Sequence, residues 1–95
     1  MLEIKHKDDG AKGEFYIGED GYHLAEMTYT WAGEDKFIID HTVVSDELRG
    51  EGVGHKLLNN IVEFAREKNV LIIPLCPFAK AAFEKDYKIR DVLFT

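Results

Sequence analysis

Cysteine is nearly absent from this chain: its 95 residues contain one, Cys76. A single thiol excludes an internal disulfide and any zinc site built from several cysteines. Proline occurs only at Pro74 and Pro77, and tryptophan only at Trp31. No apolar run approaches the roughly 20 residues that a membrane-spanning helix needs, and Met1-Leu2-Glu3-Ile4-Lys5-His6 has no signal-peptide core. The expectation is a cytoplasmic chain with no membrane partner. Positive charge is short as well, with 12 Lys and Arg against 18 Asp and Glu, a net of −6. That balance disfavours a broad basic face for nucleic acid.

What remains is an ordinary globular composition, 45% hydrophobic and 32% charged. The length fits one domain over residues 1–95, with one core and a sheet of about five strands. The charge is unevenly divided. Residues 1–48 hold four basic residues against twelve acids, and residues 49–95 hold eight against six, so the halves carry −8 and +2. An anionic cofactor suits the second half and a cationic acceptor the first.

Along the first half, Glu3 to Asp8 and Gly13 to Ile17 read as neighbouring strands joined near Asp9-Gly10, and Glu19-Asp20-Gly21 marks a second turn. From Tyr22 to Trp31 the residues alternate. Ala25, Met27, Tyr29 and Trp31 share a core face, and Leu24, Glu26, Thr28 and Thr30 share the other. After the turn at Ala32-Gly33-Glu34-Asp35, Lys36 to Val44 forms the next strand. The layout to this point is an antiparallel meander. Val53 to Lys68 carries a broad apolar stripe at helical spacing, with Asn69 as its stop. Val70 to Leu75 is apolar without alternation, as an interior strand should be, and a helical crossover makes it parallel to the strand before. Pro74 has no N–H for a ladder, so pairing should weaken there. Pro77 to Lys85 reads as a short helix with proline in its first turn. Tyr87 to Thr95 fits either an edge segment or a short helix.

Between the meander and the long helix stands Arg49-Gly50-Glu51-Gly52-Val53-Gly54. Alternate glycines bare backbone N–H groups, and a helix beginning there aims its positive end into the turn. The result is a cradle for phosphate or pyrophosphate. The dinucleotide fingerprint is not met, because His55 stands where its third glycine belongs. The triphosphate loop is not met either, because Gly54 is followed by His55-Lys56-Leu57. A glycine turn that merely joins a strand to a helix is the structural alternative.

The Arg-x-x-Gly-x-Gly pattern, the preceding Val43-Val44, the following Leu57-Leu58 and the order of elements together resemble the GNAT superfamily of N-acetyltransferases. The likeness runs from about Gly13 to Tyr87, and the length is similar to that of its small stand-alone members. It implies a mixed α/β sheet, with antiparallel strands followed by a splayed parallel pair, a long helix after the glycine loop and a second short helix. It also implies an acetyl-CoA-binding domain that acetylates an amine, whether a protein lysine, a chain N-terminus or a small amine. By position, Val43 and Val44 would bond the pantetheine arm, and the amides of Arg49, Gly50, Glu51, Gly52, Val53, Gly54 and His55 would hold the pyrophosphate. Lys80, near the second helix, is a candidate phosphate contact, with a solvated side chain as the alternative. The family's tyrosine acid is replaced here by Phe83, and Cys76 stands where an asparagine is common.

Two residues carry candidate chemistry. His41 lies on the same strand face as Val43, and an imidazole suits the acceptance of a proton from an ammonium group or water. Cys76, at the end of the neighbouring strand, can serve as proton donor or as acyl-accepting nucleophile. Direct transfer with His41 as base and Cys76 as acid is the preferred route, and acyl transfer through Cys76 is the other. Glu26 and Asp40 belong to an open acidic surface for the acceptor. A non-catalytic acyl-CoA-binding module is the competing class. No metal site is expected, and the assembly expected is a monomer or weak dimer.

Overall fold

The computed structural model describes residues 3–19 and 21–94. Asp20 of the second turn, Met1, Leu2 and Thr95 lie outside the described residues. The strands are β1 (Lys5–Asp8), β2 (Lys12–Glu19), β3 (Tyr22–Trp31), β4 (Lys36–Val44) and β5 (Leu71–Pro74), and the helices are α1 (Val53–Lys68) and α2 (Pro77–Lys85). Short 3-10 turns cover Asp46–Leu48 and Tyr87–Val92. The five strands form one sheet in sequence order, antiparallel up to β4 and parallel between β4 and β5.

Alternation sorts the sheet into two unlike faces. Phe15, Ile17, Ala25, Met27, Tyr29, Phe37 and Ile39 are buried together with Val53, Leu57, Leu58 and Ile61 of α1 and Ala79, Ala82 and Phe83 of α2. These side chains make a single core. On the other face, Glu14, Glu26 and Thr28 are half-buried, and His41 and Val43 are exposed. α1 forms because its apolar residues return every three to four positions, and it stops because Asn69 adopts φ 58°, ψ 46° and caps it with its own N–H. The final segment resolves as a 3-10 turn followed by an edge contact. Arg90 donates to the carbonyls of Phe83 and Glu84, and Phe94 N–H then bonds Ile72 C=O at 2.9 Å.

Candidate active site

The site opens where two parallel strands part. β5 keeps register with β4 from Lys36↔Leu71 to Ile39↔Pro74 and no further. Pro74 has no N–H to extend the ladder, and the amides of Leu75 and Cys76 both turn back to Ile39 C=O, at 3.2 and 3.3 Å. β4 continues to Val44. Among the described residues, no strand therefore pairs with the β5-side edge of β4 around Val43 and Val44.

That edge leads directly into the glycine turn. Gly50 and Gly52 sit at φ +86° and +69°, and a Cβ at either would meet no heavy atom within 4 Å. Their missing side chains leave open space. Gly54 has a different reason to be glycine, because a Cβ there would come within 2.8 Å of the Phe78 ring on α2. α1 begins with no side-chain cap and no acid in its first turn, and Lys56 N–H to Gly52 C=O at 3.1 Å opens its ladder. The amides of Val53, Gly54 and His55 lie before that bond and are not used by the helix. Arg49 N–H and Glu51 N–H are engaged within the turn, with Asp46 C=O at 3.2 Å and Leu48 C=O at 3.3 Å. Of the amides expected to face an anion, these two already have acceptors. The Arg49 side chain is exposed and pairs with Asp46 at 2.7 Å. His55 is exposed, its ring 5.1 Å from that of Phe78, and Lys80 is exposed on α2 in a groove with Pro74 and Arg90.

Cys76 caps α2. Its Sγ accepts from Ala79 N–H at 3.4 Å and lies 3.3 Å from Thr42 Oγ1, and the residue is only 3% exposed. His41 stands on the other face of β4, because of a bulge. Tyr29 pairs with Ile39 and Thr28 with His41, so Asp40 is an extra residue and the alternation inverts after it. Thr42 consequently joins Met27 on the core side, while His41 and Val43 oppose Thr28 and Glu26 on the open side. The thiol and the imidazole are thus served by adjacent residues of β4 but from opposite faces. Cys76 meets Thr42, not His41.

On the open face His41 belongs to a connected cluster. Its Nε2 is 3.1 Å from Glu26 Oε2 and its Nδ1 is 3.1 Å from Thr28 Oγ1. Glu26 Oε1 is in turn 3.0 Å from His23 Nδ1, and Glu14 Oε1 approaches the same nitrogen at 3.6 Å. The Tyr16 ring stacks on His23 at 4.1 Å. Burial pushes the Glu26 carboxyl upward, but the hydrogen bonds from His23 and His41 more than offset it and hold the group below the usual glutamate range. An open groove of about 710 Å³ runs from His41 and Asp40 past Glu14 to Lys7, Asp8 and Lys12. The alternation in β3 had placed Glu26 and Thr28 on one face. The parts played by His23, Glu14 and Thr42 were not visible in the sequence, because they depend on the β2–β3–β4 register and on the bulge.

A parted parallel pair, a bare strand edge and an uncapped helix N-terminus characterise this α/β domain. The model of the GCN5-related N-acetyltransferase family matches residues 14–92. The chain belongs to that family, and its activity is acetyl transfer. It is similar to a GCN5-like N-acetyltransferase candidate from Staphylococcus aureus, with 49% identity, a TM-score of 0.80, and coverage of 98% of this chain and 88% of that one. A ribosomal-protein-alanine N-acetyltransferase from Brucella melitensis shares the fold at 18% identity and TM-score 0.61, over 92% of this chain and 64% of its own. A GNAT acetyltransferase from Elizabethkingia anophelis with acetyl-CoA bound shares it at 10% identity and TM-score 0.66, over 90% of this chain and 74% of its own. A search among curated protein sequences finds no match. Among the described residues, no helix is long and apolar enough to cross a membrane.

Proposed function

We propose that the chain transfers the acetyl group of acetyl-CoA to an amine, such as a protein lysine, a chain N-terminus or a small amine. The observation that carries this reading is the continuity of the unpaired β4 edge at Val43 and Val44 with the open N-terminus of α1. An amide-bearing arm fits the first as an added strand, and a pyrophosphate fits the second. The space beyond Gly50 and Gly52 supports the fit, since side chains there would fill the cradle. Bound acetyl-CoA would supply an activated acyl thioester.

The chain's own residues then have three tasks. The β4 backbone near Val43 positions and polarises the acyl carbonyl. His41, exposed beside the groove, takes the proton released as the amine nitrogen bonds the acyl carbon. Cys76 S–H supplies a proton to the departing thiolate as the carbon–sulfur bond breaks. Acylation of Cys76 is the alternative route, and in both the Sγ acts from its place between Thr42 and Ala79. The acidic groove, with Asp8, Asp9, Glu14 and Asp40 against Lys7 and Lys12, suits a cationic acceptor.

Calorimetric titration with acetyl-CoA, NAD and ATP tests the reading, on the wild type and on Gly52→Val with its fold checked by circular dichroism. Binding of acetyl-CoA alone, lost in the variant, is expected. Binding of none of the three would overturn it. His41→Ala should then lower kcat by about 10²–10⁴ while leaving affinity intact, and Cys76→Ala should act in the same direction. Undiminished turnover in both variants would remove the two residues from the chemistry, and affinity without any turnover in the wild type would leave an acyl-CoA-binding module.

A further inference from the structure

The cluster around His41 carries an assignment of its own, which rests on the reading of His41 as proton acceptor. We propose that Glu26 is the positioning residue of that base: it holds the imidazole with its proton on Nε2 and leaves Nδ1, against the Thr28 hydroxyl, as the nitrogen that accepts a proton.

Donors and acceptors decide where the imidazole proton sits. An ionised carboxylate only accepts, and a neutral imidazole carries one N–H. The 3.1 Å contact between Nε2 and Glu26 Oε2 therefore requires that proton on Nε2. Nδ1 is left with a lone pair, and the Thr28 hydroxyl, 3.1 Å away, donates to it. When the amine loses its proton, its N–H bond breaks and the proton passes to the Thr28 hydroxyl, which gives its own proton to Nδ1 so that an Nδ1–H bond forms. The resulting imidazolium donates from Nδ1 to Thr28 Oγ1 and from Nε2 to Glu26. No heavy atom has to move, and the new charge faces a carboxylate.

The surroundings hold this arrangement in place. Glu26 is steadied from behind by His23 Nδ1–H at 3.0 Å, and the His23 ring is pinned by Tyr16. Thr28 lies directly opposite His41 in the β3–β4 register, and the Asp40 bulge turns His41 toward it. The other charged groups along the groove have their own places. Asp40 accepts from Thr30 Oγ1 at 2.6 Å, Asp8 accepts from Tyr29 and Trp31, Glu14 faces His23, and Asp9, Lys7 and Lys12 lie farther along the groove.

The test is the tautomer of His41, read by long-range ¹H–¹⁵N correlation in the wild type, Glu26→Gln and Thr28→Val, beside kinetics with acetyl-CoA and an oligolysine acceptor. The wild type should show a protonated Nε2 and a bare Nδ1. Glu26→Gln, whose amide can donate as well as accept, should mix the two tautomers. It should also lower kcat by about 10- to 100-fold, part of the 10²–10⁴ that acid–base help supplies, with KM for acetyl-CoA unchanged. A tautomer unaltered by Glu26→Gln overturns the proposal, as does unchanged kcat in that variant when His41→Ala is impaired. Full kcat in His41→Ala sinks the reading of His41 as base instead, while the ¹⁵N signature still decides whether Glu26 holds the ring.

Discussion

The two faces of the sheet are built from the same strands and obey different rules. The core face packs Phe37, with no exposed surface, against a tilted Tyr29 ring at 4.7 Å and edge-to-face with Trp31 at 5.3 Å between ring centroids. Among the described residues the open face carries no helix and is held by hydrogen bonds among Glu26, Thr28, His23 and His41. Packing fixes one face and polar pairing the other. The bulge at Asp40 is where the two meet. Strict alternation from Phe37 and Ile39 would carry His41 and Val43 into the core, and the extra residue sends them to the open side instead.

The sharpest way to break this contrast is to substitute one residue on each face. Phe37→Ala should cost about 3–5 kcal/mol, from lost transfer energy and the cavity left among rings that cannot close it. Against a total of about 5–15 kcal/mol, much of the stability would go. Val43→Thr, on a residue 53% exposed, should change stability by less than about 0.5 kcal/mol. Urea denaturation of both variants measures the difference, and equal losses would mean that the open face is covered in solution.

The sequence carried the core face more fully than the open one, for a physical reason. Burial leaves a periodic trace, and so the alternation of Ala25, Met27 and Tyr29, the span of α1 from Val53 to Lys68 and the α2 span from Pro77 to Lys85 were all legible. Pro74 marked the parting of β4 and β5 because a missing N–H is a property of the residue itself. The glycine turn was legible for the same reason. A bulge leaves no such trace, since Asp40 is an unremarkable residue made extra only by its partners. The opposition of Cys76 and His41 across β4, and the cluster around Glu26, follow from that one register shift and could not be read before it.

Within the glycine turn the contrast recurs at smaller scale. Gly50 and Gly52 face open space, and Gly54 faces the Phe78 ring. In a free helix Gly→Ala gains about 1 kcal/mol, whereas overpacking costs about 1–3 kcal/mol. Phe78 is half-buried, so its ring can yield in part. Gly54→Ala should therefore destabilise by about 1 kcal/mol net, between those opposing terms. In a Phe78→Ala background the same change should stabilise by about that amount. Thermal unfolding of the four proteins gives both signs, and a Gly54→Ala effect independent of Phe78 would show that the glycine serves the turn rather than the packing.

The smallest expected effect concerns acid, and it too separates the faces. At the β1 edge of the core face, the His6 ring stacks on Phe15 at 4.0 Å and meets Phe64 edge-on at 4.6 Å, although much of the residue remains exposed. Tyr29 O–H donates to Asp8 at 2.6 Å, so the 2.7 Å contact between Tyr29 and His6 requires His6 Nε2–H as donor. Burial pulls His6 below the usual histidine range, opposed by Asp8 and aided by Lys68. A histidine depressed in the folded state binds fewer protons there than in the unfolded chain. Its contribution is therefore complete above about pH 6.5 and is lost as pH falls from that value through the lower folded one. The open-face Glu26 is depressed as an acid, so its contribution is present above about pH 4.3 and lost on further acidification. Asp8, raised by burial but lowered on balance by hydrogen bonds from Tyr29, Gly10 and Trp31, follows below about pH 3.9. The urea midpoint should then fall in two stages, the first from the core-face edge and the second shared by both faces. His6→Gln should remove the first stage and leave the second, and a midpoint curve unchanged by that substitution would mean that His6 titrates alike in the folded and unfolded chains.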